Sequence, residues 1–197
     1  MEIVLASNNA HKYEEVARML TPLGHRVFTQ AEAGVYIDPD ETGDTFAENA
    51  RIKALAVQAA CPGKAVLADD SGLAVDALGG APGVHSARYA GAHGRDGDNN
   101  QKLLRELRAV PAEQRTARFV CALALLLPDG RLLEVEGSCE GLIGFTESGA
   151  GGFGYDPLFY VGGQSFADMS PAGKDALSHR AAALQKLQAV LRQTEGC

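Results

Sequence analysis

Residues 64–73 read KAVLADDSGL. The apolar run AVLA at 65–68 reads as a buried strand, and it delivers two adjacent carboxylates, Asp69 and Asp70. The C-terminal ends of strands are where open α/β sheets place their ligands. Adjacent strand residues point to opposite faces, so only one of the two acids enters a given cleft. Acids at the end of a buried strand repel each other and lose hydration, and something must compensate them. A hard cation such as Mg²⁺ would do so, because it takes carboxylate oxygens and bridges to phosphate. The structural alternative is a turn: Asp-Asp-Ser-Gly suits one, with the acids bonded to nearby backbone N–H groups.

Outward from this strand the chain alternates strands and helices without a linker. EIVLAS (2–7) is a short apolar strand, AHKYEEVARMLTPLG (10–24) an amphipathic helix stopped at Gly24, and HRVFTQ (25–30) a second strand. An acidic loop, 31–44, precedes a helix from Thr45 to Ala60, where Thr45 and Glu48 match a capping box. After the acids, 71–100 is glycine-rich and reads as ordered loop with short elements, and 99–108 suits a helix. Arg118–Leu127 and Arg131–Gly141 read as two strands joined by Pro128-Asp129-Gly130. A glycine-dense loop follows, and a helix over 173–193 closes the chain. The expected class is α/β: a mixed central sheet flanked by helices, in a single bilobal domain (1–197) with the active site in the cleft.

With 197 residues, 46% apolar and 22% charged, the chain has the composition of a soluble globular protein. No apolar stretch approaches the roughly 18 residues of a membrane span. The N-terminus shows no basic n-region, so secretion is not expected. Cys61, Cys121, Cys139 and Cys197 are far apart and read as reduced thiols of a cytoplasmic protein, with neither a disulfide framework nor a zinc site. A net charge of −7, from 18 basic and 25 acidic residues, argues against a nucleic-acid or acidic-membrane surface. It leaves room for a small anion held by a local cluster and a metal. No GxxxxGK[ST] is present, which excludes a P-loop.

Four further segments could carry chemistry. In SNNAHK, Ser7, Asn8, Asn9, Ala10 and His11 lie at a strand–helix junction whose free N–H groups suit a phosphate, with Lys12 in the first turn; helix capping explains the same residues. PDETGD places Asp40 and Glu41 in a loop ahead of the helix that bears Lys53, for which a solvated loop and a snorkelling lysine are the plain alternative. GGFGYDP (151–157) flanks Phe153 with glycines, which would let a base stack on the ring or simply pin a tight loop. Lys174, Ser178, His179 and Arg180 group at the start of the last helix, a placement that suits a bound anion or polarised carbonyl better than a helix dipole.

Together, SNNAHKYEEV, ETGDTFAENARIKA, LADDSGLAVDALGGAPGVHSARYAG, GGFGYDPLF and KDALSHRAAAL resemble the inosine triphosphate pyrophosphatase (Ham1-like) family, in the family's order and over nearly the whole chain. The resemblance implies hydrolysis of noncanonical purine nucleoside triphosphates (ITP, dITP, XTP) between the α and β phosphates, a Mg²⁺ requirement and a homodimer. It maps Ser7–Lys12 onto a substrate loop, Lys53 onto a triphosphate-binding lysine and Asp70 onto the metal-linked proton acceptor. On chemical grounds Asp70, together with Asp69, would orient or deprotonate the attacking water. Ser71, Phe153, Gly154, Tyr155, Asp156, Lys174, His179 and Arg180 map onto further substrate contacts. Where relatives often show Glu-Glu-Thr-Gly, this chain has Asp40-Glu41-Thr42-Gly43. Asp40 is the metal-ligand counterpart; one methylene shorter, it could bind through water or pass the role to Glu41. A Maf-like pyrophosphatase acting on pyrimidine nucleotides and a non-catalytic nucleotide sensor are the rival functions.

Overall fold

In the computed structural model, which describes residues 1–91 and 95–195, the strand that begins at Ala65 does not end at the two acids. It runs on to Val75, so Asp69, Asp70 and Ser71 lie in its interior and the alternative of a turn does not hold. The reason is the apolar alternation beyond them: Leu73 and Val75 are fully buried, and the Leu73 N–H donates to Ser86 Oγ at 2.9 Å.

The elements are β1 (Glu2–Ala6), α1 (Ala10–Leu20), β2 (Arg26–Thr29), α2 (Phe46–Ala60), β3 (Ala65–Val75), α3 (Asp96–Glu106), β4 (Thr116–Leu126), β5 (Leu132–Ile143), β6 (Phe159–Val161), β7 (Gln164–Ser165), α4 (Pro171–Leu177) and α5 (His179–Glu195), with short 3₁₀ turns between them. The strands form one mixed sheet in the order β2-β1-β3-β4-β5-β6-β7. β1 is parallel to β2 and β3, whereas β6 is antiparallel to β5 and β7. The class is therefore mixed α/β, as the sequence predicts.

The chain divides into two units, Met1–Asp70 with Cys121–Gly137 and Arg180–Cys197, and Ser71–Val120 with Ser138–His179. The first has a core on each face of its strands. Ile3, Leu5, Leu67, Leu123 and Leu125 pack against Val16 and Leu20 of α1 and Ala183, Leu184 and Leu187 of α5. Val4, Ala6, Val66, Ala68, Ala122 and Ala124 pack against Ala50, Ala54 and Val57 of α2. Strands buried on both faces read as continuous apolar runs, which is why IVLA and AVLA carry no polar residue. The second unit has one core, in which Leu73, Val75, Leu103, Leu107, Phe119, Phe159 and Phe166 meet.

Three helices depart from the expected bounds, α3 by running from Asp96 to Glu106 rather than over 99–108. α1 ends at Leu20 and a 3₁₀ turn follows over Thr21–Leu23, because Pro22 has no N–H to continue the ladder. The expected single helix over 173–193 is two helices, broken at Ser178, whose backbone is extended at φ −69° and ψ 154°. Ser170 caps α4 and Pro171 occupies its first turn, so this helix starts before Gly173. Cys61, Cys121 and Cys139 are buried free thiols, and Cys197 lies outside the described residues. No helix among the described residues is long and apolar enough to cross a membrane.

Candidate active site

The period of β3 separates the two acids. Asp69 shares a face with Leu67, toward α1 and α5, and Asp70 shares the opposite face with Val66 and Ala68, toward α2. Each acid is compensated on its own side. Asp69 is 0% exposed; its carboxylate receives Lys12 Nζ at 2.5 Å and Arg180 Nε at 2.7 Å. Arg180, itself fully buried, also bonds Glu15. Cys121 Sγ on β4 donates to Asp69 Oδ2 at 3.1 Å. Burial opposes ionisation of Asp69, but the charges of Arg180 and Lys12 outweigh it and hold the carboxyl well below its usual range. Burial and the Asp69 charge push the Cys121 thiol well up, so it stays protonated and donates.

Asp70 is 5% exposed and meets Lys53 Nζ at 2.7 Å. The same ammonium reaches Glu41 Oε1 at 2.7 Å and the Asp69 carbonyl at 2.8 Å, so two carboxylates share one cation. Burial, reinforced by the Glu41 charge, raises Asp70 to about 6 against the pull of Lys53 and Lys12. Glu41 loses hydration too, yet Lys53 dominates and its carboxyl is lowered. Lys53 is raised: burial disfavours its charge, and Asp70 and Glu41 more than restore it. The outcome is an ionised salt-bridged acid on one face of β3 and an acid poised near neutrality on the other.

A divalent cation would find a suitable donor set at Asp70 and Glu41. Mg²⁺ commonly takes one or two carboxylates and completes its shell with water and phosphate oxygens. No cluster of three or more His, Cys, Asp or Glu side chains suited to a metal occurs among the described residues, and the pair needs none. Asp40, the counterpart assigned by resemblance, is exposed, while Glu41 is the acid beside Asp70.

The supports of these groups are local. Asn9 caps α1, accepting the Lys12 N–H at 3.1 Å, and Ser7 Oγ accepts the Asn9 N–H at 3.2 Å. Asn8 Oδ1 receives Gln30 Nε2 at 3.1 Å. Ala10 and His11 form the exposed first turn of α1, with Lys12 turned to Asp69. α2 starts with the expected capping box between Thr45 and Glu48, two turns ahead of Lys53.

In the second unit, Asp156 and Lys174 form a buried pair at 2.6 Å. Asp156 also accepts the Phe153 N–H at 3.0 Å, and Lys174 Nζ stands 4.8 Å from the centroid of the Phe153 ring. This fold of the loop requires glycine at 152, where φ is +72° and a Cβ would fall 2.1 Å from Asp156 Oδ2. α3 holds Gly154 by both backbone groups: its N–H donates to Asp96 Oδ2 at 2.7 Å, and its carbonyl accepts from Asn100 Nδ2 at 3.1 Å. Tyr155 is a core residue, its hydroxyl donating to the Ser86 carbonyl at 2.9 Å. His179 is buried and stacks on Phe119, 4.8 Å between centroids. Ser71 follows the acids on β3 and is partly buried.

Within the first unit the structure thus brings Lys12, Asp69 and Arg180 together, and Lys53 with Asp70; within the second it joins Phe153, Asp156 and Lys174. Glu15, Cys121, Asp96 and Asn100 support these groups and carry no role in the sequence motifs. Glu15 had a signal, since it lies three residues after Lys12 and so on the same side of α1. Cys121, inside the apolar run FVCALALLL, had none.

A family model described as the Ham1 family matches residues 3–190. A protein of Desulforamulus reducens named dITP/XTP pyrophosphatase is 50% identical over 195 residues, covering 98% of this chain and 96% of its own. One of the same name from Geobacillus kaustophilus is 51% identical over 188 residues, 94% of this chain and 92% of its own. Among solved structures, the Ham1 protein of Staphylococcus aureus superposes with a TM-score of 0.86 at 41% identity, covering 98% of this chain and 100% of that one. The Mycobacterium abscessus nucleoside-triphosphatase, also named dITP/XTP pyrophosphatase, gives 0.75 at 44% identity, covering 95% and 98%.

Proposed function

The chain belongs to the Ham1 family, and we propose that it hydrolyses the noncanonical purine nucleotides ITP, dITP and XTP to monophosphate and pyrophosphate, clearing them from the nucleotide pool. Mg²⁺ as cofactor, a homodimeric state and a cytoplasmic location belong to the same proposal. The dITP/XTP pyrophosphatase name of the relatives supports the substrate class, and the buried free thiols are in keeping with a reducing compartment.

The observation that carries the reading is the split of Asp69 and Asp70 between two cationic settings. Asp70, set beside Lys53 and Glu41, would orient and deprotonate the attacking water. Asp70 and Glu41 would hold the Mg²⁺, which when bound supplies charge neutralisation along the polyphosphate. Lys12 and Lys53 would bind the phosphates and stabilise charge gathering on the pyrophosphate leaving group, with Lys174 as a further cation. Asp69 would serve by holding Lys12 and Arg180 in place. For the base, an Asp156 carboxylate accepting from N1–H, with His179 donating to O6, would suit hypoxanthine and leave adenine unpaired; Arg180, the other candidate donor, is committed to Asp69 and Glu15.

The test is a panel of ITP, XTP, dITP, GTP, ATP, dTTP and UTP with Mg²⁺, products resolved as monophosphate plus pyrophosphate or diphosphate plus phosphate, with Asp70→Asn alongside. Selective conversion of ITP, dITP and XTP to monophosphate, lost in a folded Asp70→Asn, is the expected result. Turnover centred on dTTP or UTP would move the protein to the Maf-like class. Binding of ITP without turnover would make it a sensor, and near-normal kcat in Asp70→Asn would remove Asp70 from the chemistry.

A further inference from the structure

Glu41 reaches Lys53 and Asp70 from a loop, and a loop carboxylate is only as well placed as the bonds that hold its backbone. Two residues beyond Glu41, the Gly43 N–H donates to Asn49 Oδ1 at 2.8 Å. Asn49 sits on α2 one turn before Lys53 and is 0% exposed. A Cβ on Gly43 would meet Glu48 Cβ at 2.6 Å and Asn49 Oδ1 at 2.9 Å, so the loop backbone lies directly on the helix. The next two N–H groups, of Asp44 and Thr45, are taken by Glu48 Oε2 at 2.9 and 3.1 Å. One helix thereby carries both the cation of the site, Lys53, and the fastening of the acid that pairs with it.

Asn49 is also an expensive choice for the interior. Its Nδ2 is buried and makes no hydrogen bond to any described residue. A buried donor without a partner costs the fold free energy, whereas an apolar side chain of similar size would not. Its carboxamide oxygen, by contrast, has a specific task.

We propose that Asn49 is a positioning residue: by accepting the Gly43 N–H it fixes the Glu41 carboxylate against Lys53 and Asp70, and so sets how tightly the site holds a divalent cation. This rests on the reading of Glu41 and Asp70 as the metal carboxylates. Groups that orient a ligand without touching the metal commonly change affinity by 10–100-fold when removed. Asn49 touches neither metal nor substrate in this account; its effect passes through the backbone of residues 41–43.

The experiment compares the full-length protein with Asn49→Ala, Gly43→Ala and Glu41→Gln, titrating each with Mn²⁺ as probe, followed by the electron paramagnetic resonance of the free ion, and recording metal-free melting curves. Asn49→Ala and Gly43→Ala attack the same contact from opposite sides, so either one, if folded, decides the matter. The expected result is a Mn²⁺ dissociation constant raised about tenfold or more in both, with a raised Mg²⁺ requirement but kcat at saturating Mg²⁺ within about twofold of wild type. The melting temperature of Asn49→Ala would not predict its loss of affinity. Mn²⁺ affinity unchanged in a folded variant, with Glu41→Gln impaired, would overturn the role of Asn49 alone. Affinity unchanged in Glu41→Gln would overturn the metal reading beneath it.

Discussion

At the scale of single residues, Asp69 and Asp70 are chemically the same group one position apart, and the strand period gives them opposite properties. Asp69 meets Arg180 and Lys12 on one face and stays ionised; Asp70 meets Lys53, Glu41 and an interior that favours its neutral form. The linkage of Asp69 to stability has a definite sign. Its native carboxyl is held well below the ordinary 3.8, so it contributes stability that is complete above that pH and is lost as pH falls through the lower native value. The melting temperature of Asp69→Asn should therefore lie furthest below wild type at pH 7. The gap should narrow only below about pH 4. Calorimetry of both proteins from pH 7 to pH 2.5 measures it, and a gap independent of pH would show that Asp69 acts through packing, not charge.

At the scale of elements, α2 was legible almost to the residue because its start is written in side chains: Thr45 and Glu48 exchange bonds with each other's backbone. Thr45→Ala should cost about 1 kcal/mol of stability, as loss of a helix cap usually does. Urea melts would register that cost, and kcat at saturating Mg²⁺ should stay near wild type; a larger fall in kcat would extend the site to the cap itself. β3 was legible only in its first half. Asp-Asp-Ser-Gly has the composition of a turn, and local composition cannot weigh the burial of Leu73 and Val75, which keeps the strand straight past the acids. The break at Ser178 was hidden for the converse reason. KDALSHRAAAL keeps helical composition across it, and the Ser178 N–H still finds the Lys174 carbonyl. β6 and β7, three and two residues long, are too short to show a period at all.

At the scale of the whole chain, the site was more legible than its wiring. Lysines, acids and glycine loops announce themselves by type. Cys121 acts through Asp69, far away in sequence, and only folding reveals it, whereas Asn49 acts through the Gly43 N–H six residues before it, a local contact that residue type alone does not announce. In the proposed function the roles divide by residue: phosphate and metal chemistry through Asp70, Glu41, Lys12 and Lys53, base reading through Phe153 and Asp156. Asp156→Asn tests that division. Its Oδ1 can still accept the Phe153 N–H, while its Nδ2 becomes a donor that adenine N1 can use. The ratio of kcat/KM for ITP over ATP should fall at least about tenfold, the worth of one buried hydrogen bond changing hands. The Mg²⁺ requirement should not move. Glu41→Gln should do the reverse, and because Glu41 pairs with Lys53 and Asp156 with Lys174, the effects of the two changes on log kcat/KM should add in the double variant. Strong non-additivity would mean that base and metal are read by one coupled network.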